Sequence, residues 1–353
     1  MRRDDMKGGA VKRTLACMLL GAFAAPALAG GELLVGNKSA DTVWRLDLDD
    51  GRKLGEVASG EGPHEIAVSP DGALALVTDY GRGKAGNSLT VIDLASGRAA
   101  RSIPLGNHER PHGVRFLPDG RRAVVTTEGS AALLVVDVAE ARVERAIDVG
   151  DGGGHMVAVT GDGGIAYVSK IAAGTVSRVD LATGSRTLEA PAGKGAEGIA
   201  VAPDGTVWVS NRAEDTVTVH DPDSLEVRAT LASEGFPIRV VFTPDGRHAL
   251  VTNARAATLA VFHARTRERV ATVALATDDA EYQETLLGRD ALPIGVIADP
   301  ARPRAYVAIS GADRIAVVDT QAWKVVGHWR TGREPDALGI VASRPAADEA
   351  PAN

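Results

Sequence analysis

Apolar and polar residues alternate in short runs along most of this chain, with the two-residue period of extended backbone. Leu74 to Thr78, Ala123 to Thr127, Ile165 to Ser169, Val207 to Ser210, Ala249 to Thr252 and Ala305 to Ile309 are such runs, and each predicts a β-strand. None shows the period of about 3.6 that an amphipathic helix requires, so a helical solenoid is excluded.

The runs belong to one repeated unit of roughly forty residues. Its opening is clearest at Gly62-Pro63-His64-Glu65 and Arg110-Pro111-His112-Gly113, and recurs at Gly154-His155, Ala196-Glu197, Pro237-Ile238, Pro293-Ile294 and Pro335-Asp336. An Asp-Gly turn follows at Asp71-Gly72, Asp119-Gly120, Asp162-Gly163, Asp204-Gly205 and Asp245-Gly246, with Asp299-Pro300 in the sixth copy. A third run then ends on an acidic residue, as in Thr90-Val91-Ile92-Asp93, and a fourth completes the unit. Asp47, Asp93, Asp137, Asp180, Asp221 and Asp319 share that third-run position and read as turn caps.

Four short strands per unit make a propeller blade. Residues 32–60 hold only the second, third and fourth strands of a unit, and Pro335 to Val341 only the first. The expected fold is therefore all-β: a seven-bladed β-propeller of four-stranded antiparallel blades over residues 30–343, closed by pairing the C-terminal strand with the three N-terminal ones. Residues 344–353 read as a disordered tail.

Tyr167-Val168-Ser169-Lys170, Trp208-Val209-Ser210-Asn211 and Leu250-Val251-Thr252-Asn253 resemble the YVTN-type β-propeller repeat, a group allied to lactonase propellers and to the N-terminal propeller of nitrous-oxide reductase. The resemblance spans essentially all of residues 30–343 and implies the propeller fold. It implies no single activity, since similar propellers serve as scaffolds, binding proteins, lactonases and electron-transfer domains.

The first residues do not belong to the repeat. Arg2, Arg3, Lys7, Lys12 and Arg13 precede an apolar stretch from Leu15 to Ala25 that ends in Ala27-Leu28-Ala29, the pattern of a Sec-type signal peptide cleaved after Ala29. A periplasmic or secreted protein is expected, with no membrane insertion. The lone Cys17 lies inside that signal, and no Cys-x-x-Cys-His haem attachment motif is present. Removing residues 1–29 takes five bases and two acids from a chain of net charge −7, leaving −10, which opposes nucleic-acid binding and favours a soluble monomer.

Candidate chemistry gathers where the loops into the first strand and out of the second open on one face, around the tunnel. His64, His112, His155, Glu197, Arg239 and Asp336 come from the first set; Asn37, Lys38, Asp79, Tyr80, Glu128, Lys170, Asn211, Arg212, Asn253 and Arg255 from the second. A histidine and acidic arc is expected opposite a basic arc. His64, His112 and His155 either hold a transition metal such as zinc or copper or hydrogen-bond tunnel water. Lys170, Arg212, Arg239 and Arg255, with Asn211 and Asn253, either bind a small anion or close salt bridges with Glu197 and Glu214. The long stretch from Asp278 to Asp290 predicts a short helix that is either a lid, with Tyr282 and Arg289 facing the ligand, or a partner-docking element, or else a loop that has simply grown.

The residues read first as a non-enzymatic binding or scaffold protein, taking a small molecule, a metal or a protein partner at the tunnel face. The alternative is a lactonase- or lyase-type enzyme, with His155 or Glu197 as base and Arg212 or Arg255 stabilising an oxyanion. No G-x-S-x-G nucleophile motif is present.

Overall fold

The computed structural model, which describes residues 30–277 and 280–342, folds the alternating runs into seven four-stranded antiparallel sheets. Blades 1 to 6 are built from strands within residues 63–104, 111–148, 157–191, 196–232, 237–274 and 293–330. Blade 7 joins Pro335–Val341 to Glu32–Asn37, Thr42–Asp47 and Lys53–Ala58. The closing pair runs antiparallel, Glu32 opposite Val341 and Asn37 opposite Pro335, so the two ends of the repeat share one sheet as the split unit requires.

Turn chemistry fixes the strand lengths. Gly72, Gly120, Gly163, Gly205 and Gly246 all take positive φ, between 66° and 86°, a region open to glycine at little cost. The preceding aspartates accept backbone N–H groups two residues on, as Asp71 does from Ala73 at 2.9 Å and Asp119 from Arg121 at 2.9 Å. The third-strand aspartates act likewise: Asp93 accepts from Ser96 at 2.7 Å and Asp319 from Gln321 at 2.8 Å. Their turn-capping role stands.

Both faces of each sheet are buried against neighbours, so the two residue sets of one strand serve two different interfaces. In blade 2, Leu134 packs toward Leu76 and Leu89 of blade 1, whereas Leu133 packs toward Val168 and Val179 of blade 3. Trp44 and Trp329 fill the wedge between blades 6 and 7, and Trp323 that between blades 5 and 6. Outer fourth strands such as Arg98–Pro104 stay largely exposed.

One expectation fails. Among the described residues of the long segment between Ala274 and Pro293 there is no helix; Thr285 bridges Gly288 around Leu286-Leu287. Gly288 at φ 113° and Leu292 at φ 51° leave helical space, and Gln283 bonds outward to the Gly311 carbonyl at 2.8 Å. The expected signal over residues 1–29 and tail over 344–353 lie outside the described residues, as do Asp278 and Asp279. No described helix is long and apolar enough to cross a membrane.

Candidate functional site

The repeated motif builds the site through its last two residues. Its hydroxyl residue reaches across to the first strand of the next blade: Thr126 Oγ1 donates to the His155 carbonyl at 2.6 Å, Ser210 to Ile238 at 2.8 Å and Thr252 to Ile294 at 2.8 Å. Ser169 makes the same bond to the Glu197 carbonyl. Each of these partners is the tunnel-facing residue of its blade, so a buried hydrogen bond sets where the side chain points.

The following residue turns the other way. Lys170 is fully buried between blades, donating to the Val149 carbonyl at 2.9 Å and pairing with Glu189 at 2.6 Å. Asn211 bonds Thr216 and Thr218 at 3.3 and 3.2 Å, and Asn253 accepts from Ser233 at 2.7 Å. These three brace the blades and lie outside the pocket lining. The reason is the pleat: in extended chain the next residue along faces the tunnel instead, which brings Lys38, Tyr80, Glu128, Ile171 and Arg212 to the pocket. Asp79, on the buried register, accepts from Ser88 at 2.7 Å, Thr90 at 2.9 Å and the Gly60 N–H at 3.0 Å. Burial pushes its pKa up to about 6 against those hydrogen bonds.

Around the mouth, the same first-strand position is His64, His112, His155, Glu197, Ile238, Ile294 and Asp336 in blade order, lining a pocket of about 560 Å³. The three histidines do converge. His64 and His112 ring centroids lie 4.7 Å apart, those of His112 and His155 3.7 Å, and Tyr80 stacks on His64 at 4.4 Å. Burial holds His64 down at about 4 and His112 well below 6.5, the latter helped by its histidine neighbours, so both are neutral imidazoles at pH 7.

His155 differs. Its Nδ1 is bonded to Glu128, which also takes the Tyr80 hydroxyl, and its Nε2 stands 3.5 Å from Glu197 without a hydrogen bond. Burial lowers its pKa, but the hydrogen bond to Glu128 and the nearby Glu197 carboxylate outweigh that and leave it above 6.5. Glu197 sits below 4.5 despite burial, held there by His155, Arg212 and Arg239.

The basic arc is only partly formed. Arg212 borders the pocket and binds Glu197 at 2.9 Å. Arg239 crosses the tunnel to Glu65 at 2.5 Å, with Glu197 at 3.6 Å and Asp336 at 3.8 Å, and its Nη1 keeps no hydrogen bond. It is a strut separating this pocket from the opposite mouth and not a free anion clamp. Glu65, its main partner, was hidden from sequence reasoning, although it occupies the column where other blades carry Gly113, Gly198 and Gly295. Arg255 lies exposed on the Phe236 ring at 4.1 Å, outside the pocket lining. Tyr282 is turned inward, its hydroxyl bonded to Thr277 O and N at 3.1 and 3.0 Å, so Leu286 and Leu287 reach the pocket instead. Arg289 pairs with Glu284 at 3.3 Å in solvent.

Two uses of this arrangement are open chemically. His112, Glu128 and His155 offer ligand atoms within 4.8 Å of one another, the spacing of a metal centre. Equally, a histidine oriented by a carboxylate, with its far nitrogen facing a pocket beside arginines, is a general acid–base device.

Comparison with known proteins follows the fold. A family model described as "Lactonase, 7-bladed beta-propeller" matches residues 37–277. A structure titled Kuenenia stuttgartiensis Hydrazine Synthase aligns with TM-score 0.66 at 19% identity, over 86% of this chain and 99% of that one. A functionally unknown protein from Desulfotomaculum acetoxidans DSM 771 aligns with TM-score 0.74 at 16% identity, over 89% and 99%. At such identities both are likenesses of fold. No curated protein sequence matches significantly.

Proposed function

We propose, because the chain belongs to the seven-bladed β-propeller lactonase family, that the tunnel-mouth pocket hydrolyses the cyclic ester of a small hydroxy acid. The observation that carries this reading is the His155 side chain, anchored at Nδ1 by Glu128 and buried at Nε2 with no hydrogen-bond partner inside the pocket. Nε2 takes a proton from water, and the water oxygen adds to the ring carbonyl carbon. The resulting oxyanion faces Arg212, which borders the pocket. The ring C–O bond then breaks, the leaving oxygen regains the proton from Nε2, and an open hydroxy acid departs. Glu128 positions the imidazole and Tyr80 positions Glu128.

Family membership and this pair move the reading from the binding role favoured by sequence toward hydrolysis. A panel of γ- and δ-lactones tests it: turnover that disappears in His155→Ala supports the reading, and turnover that survives there removes it. Binding of lactones without hydrolysis would return the pocket to a receptor role.

A second reading rests on one further observation. The Nδ1 atoms of His64 and His112 are buried without partners, like Nε2 of His155. Ligand atoms of His112 and His155, with Glu128, fall within the 4.8 Å set that a zinc or copper ion would satisfy, with His64 beside it. Elemental analysis of protein purified without chelator decides between them. Stoichiometric metal lost in His112→Ala favours the metal reading.

Export and a monomeric state belong to the same proposal. The basic, apolar and Ala-x-Ala succession before Gly30 supports secretion, and the closed ring, which leaves no long inner edge unpaired, supports a monomer.

A further inference from the structure

The ring of tunnel-facing residues is not polar all the way round. Five blades supply His64, His112, His155, Glu197 and Asp336, but blades 5 and 6, side by side, supply Ile238 and Ile294. A polar group facing the tunnel water would cost nothing there, so two adjacent isoleucines mark a sector with a different task.

The single long connection of the ring serves that same sector. Residues 275–292 link blades 5 and 6, where residues 233–236 suffice between blades 4 and 5. Its turn places Leu287 against the cluster of Ile238, Leu292 and Ile294, and Leu286 beside it at the pocket rim, 96% exposed. Leu286 is the most exposed of the large apolar side chains among the described residues, next at 51% being Val326 on an outer strand. An apolar path thus runs from the pocket floor at Ile238 and Ile294, past Leu287, to an uncovered leucine at the rim.

We infer that this path holds an unbranched aliphatic arm of the substrate, so that the pocket takes lactones carrying an alkyl chain in preference to bare or polyhydroxylated rings. The inference rests on the hydrolase reading for the ring end of the ligand and on the apolar sector for the arm. The ring carbonyl sits by His155 and Arg212, and the arm leaves across blades 5 and 6 to cover Leu286. Sugar-type lactones, with hydroxyls on most of their other carbons, would leave those hydroxyls unpaired against the isoleucines.

Two series test it. In the first, kcat/KM is measured for γ-lactones whose side chain grows from one to eight carbons; in the second, the affinity of the matching 4-hydroxy acids is measured by calorimetry, which needs no turnover. We expect both to climb with chain length, by up to about fourfold per buried methylene. Leu286→Asp, at a surface position with no packing to lose, should flatten the climb in both series. A flat series in the native protein, or an equal climb in Leu286→Asp, would overturn the inference. Climbing affinity with no hydrolysis would uphold the aliphatic site while removing the hydrolase reading.

Discussion

Thr126 Oγ1 donates to the carbonyl of His155 at 2.6 Å while accepting the Gly113 N–H at 2.8 Å, so one hydroxyl ties blade 2 to the backbone of the residue on which the proposed chemistry turns. Thr126→Val keeps the shape and removes the hydroxyl, leaving the Gly113 N–H and the His155 carbonyl only the 3.0 Å hydrogen bond they make to each other. Urea denaturation should show a loss of about 0.5–1.5 kcal/mol, the net worth of a hydroxyl hydrogen bond, whereas Thr126→Ser, the residue found at this place in blades 3 and 4 as Ser169 and Ser210, should lose much less. Equal losses would mean that the hydroxyl is not what joins the blades.

Asp79 is a carboxylate in a place where Asn37, Asn211 and Asn253 stand in other blades. Burial raises its folded pKa from 3.8 to about 6, so the fold prefers its protonated form. Its stabilising contribution is therefore complete below pH 3.8 and lost as pH rises through about 6. Asp79→Asn should gain up to about 3 kcal/mol at pH 8 and little at pH 4, because an amide can accept from Gly60 and donate to Thr90 without carrying charge. Melting temperatures of the two proteins across that range check the sign.

The strut has its own signature. Arg239 and Glu65 meet at 2.5 Å in the buried middle of the tunnel. Arg239→Met should cost about 3–5 kcal/mol by leaving Glu65 without its cation. Adding Glu65→Gln should return part of that loss, and a double-mutant cycle measures the coupling. Strictly additive losses would show that the two groups do not depend on each other.

Export predicts a defined N-terminus. Sequencing the protein recovered from the periplasm or medium of a Gram-negative host should read Gly30-Gly31-Glu32. Recovery of intact Met1 in the cytoplasmic fraction alone would contradict it.

The fold was legible because each level of the sequence agrees: the two-residue period, the Asp-Gly turns and the split unit all specify one ring. The histidine arc was legible for the same reason, since equivalent positions of neighbouring blades must be neighbours in space. What the repeat does not show is finer than a blade. Lys170, Asn211 and Asn253 lie one residue from the tunnel register, and alternation in a strand sends them to the opposite face. The Arg239–Glu65 contact spans 174 residues across the ring, a distance over which repeat alignment relates positions but not partners. Tyr282 was misplaced because its loop has no equivalent in other blades to anchor a comparison.

The central claim is that His155, oriented by Glu128, activates water for lactone opening, and the pH dependence of kcat/KM tests it most directly. Because Glu128 and Glu197 hold the His155 pKa above 6.5, the native rate should climb with pH along a limb lying above that value. Glu128→Gln should move the limb toward lower pH and lower its plateau by roughly ten- to a thousandfold, and His155→Ala should abolish it. A limb that stays in place in Glu128→Gln, or a rate that persists in His155→Ala, would contradict the account.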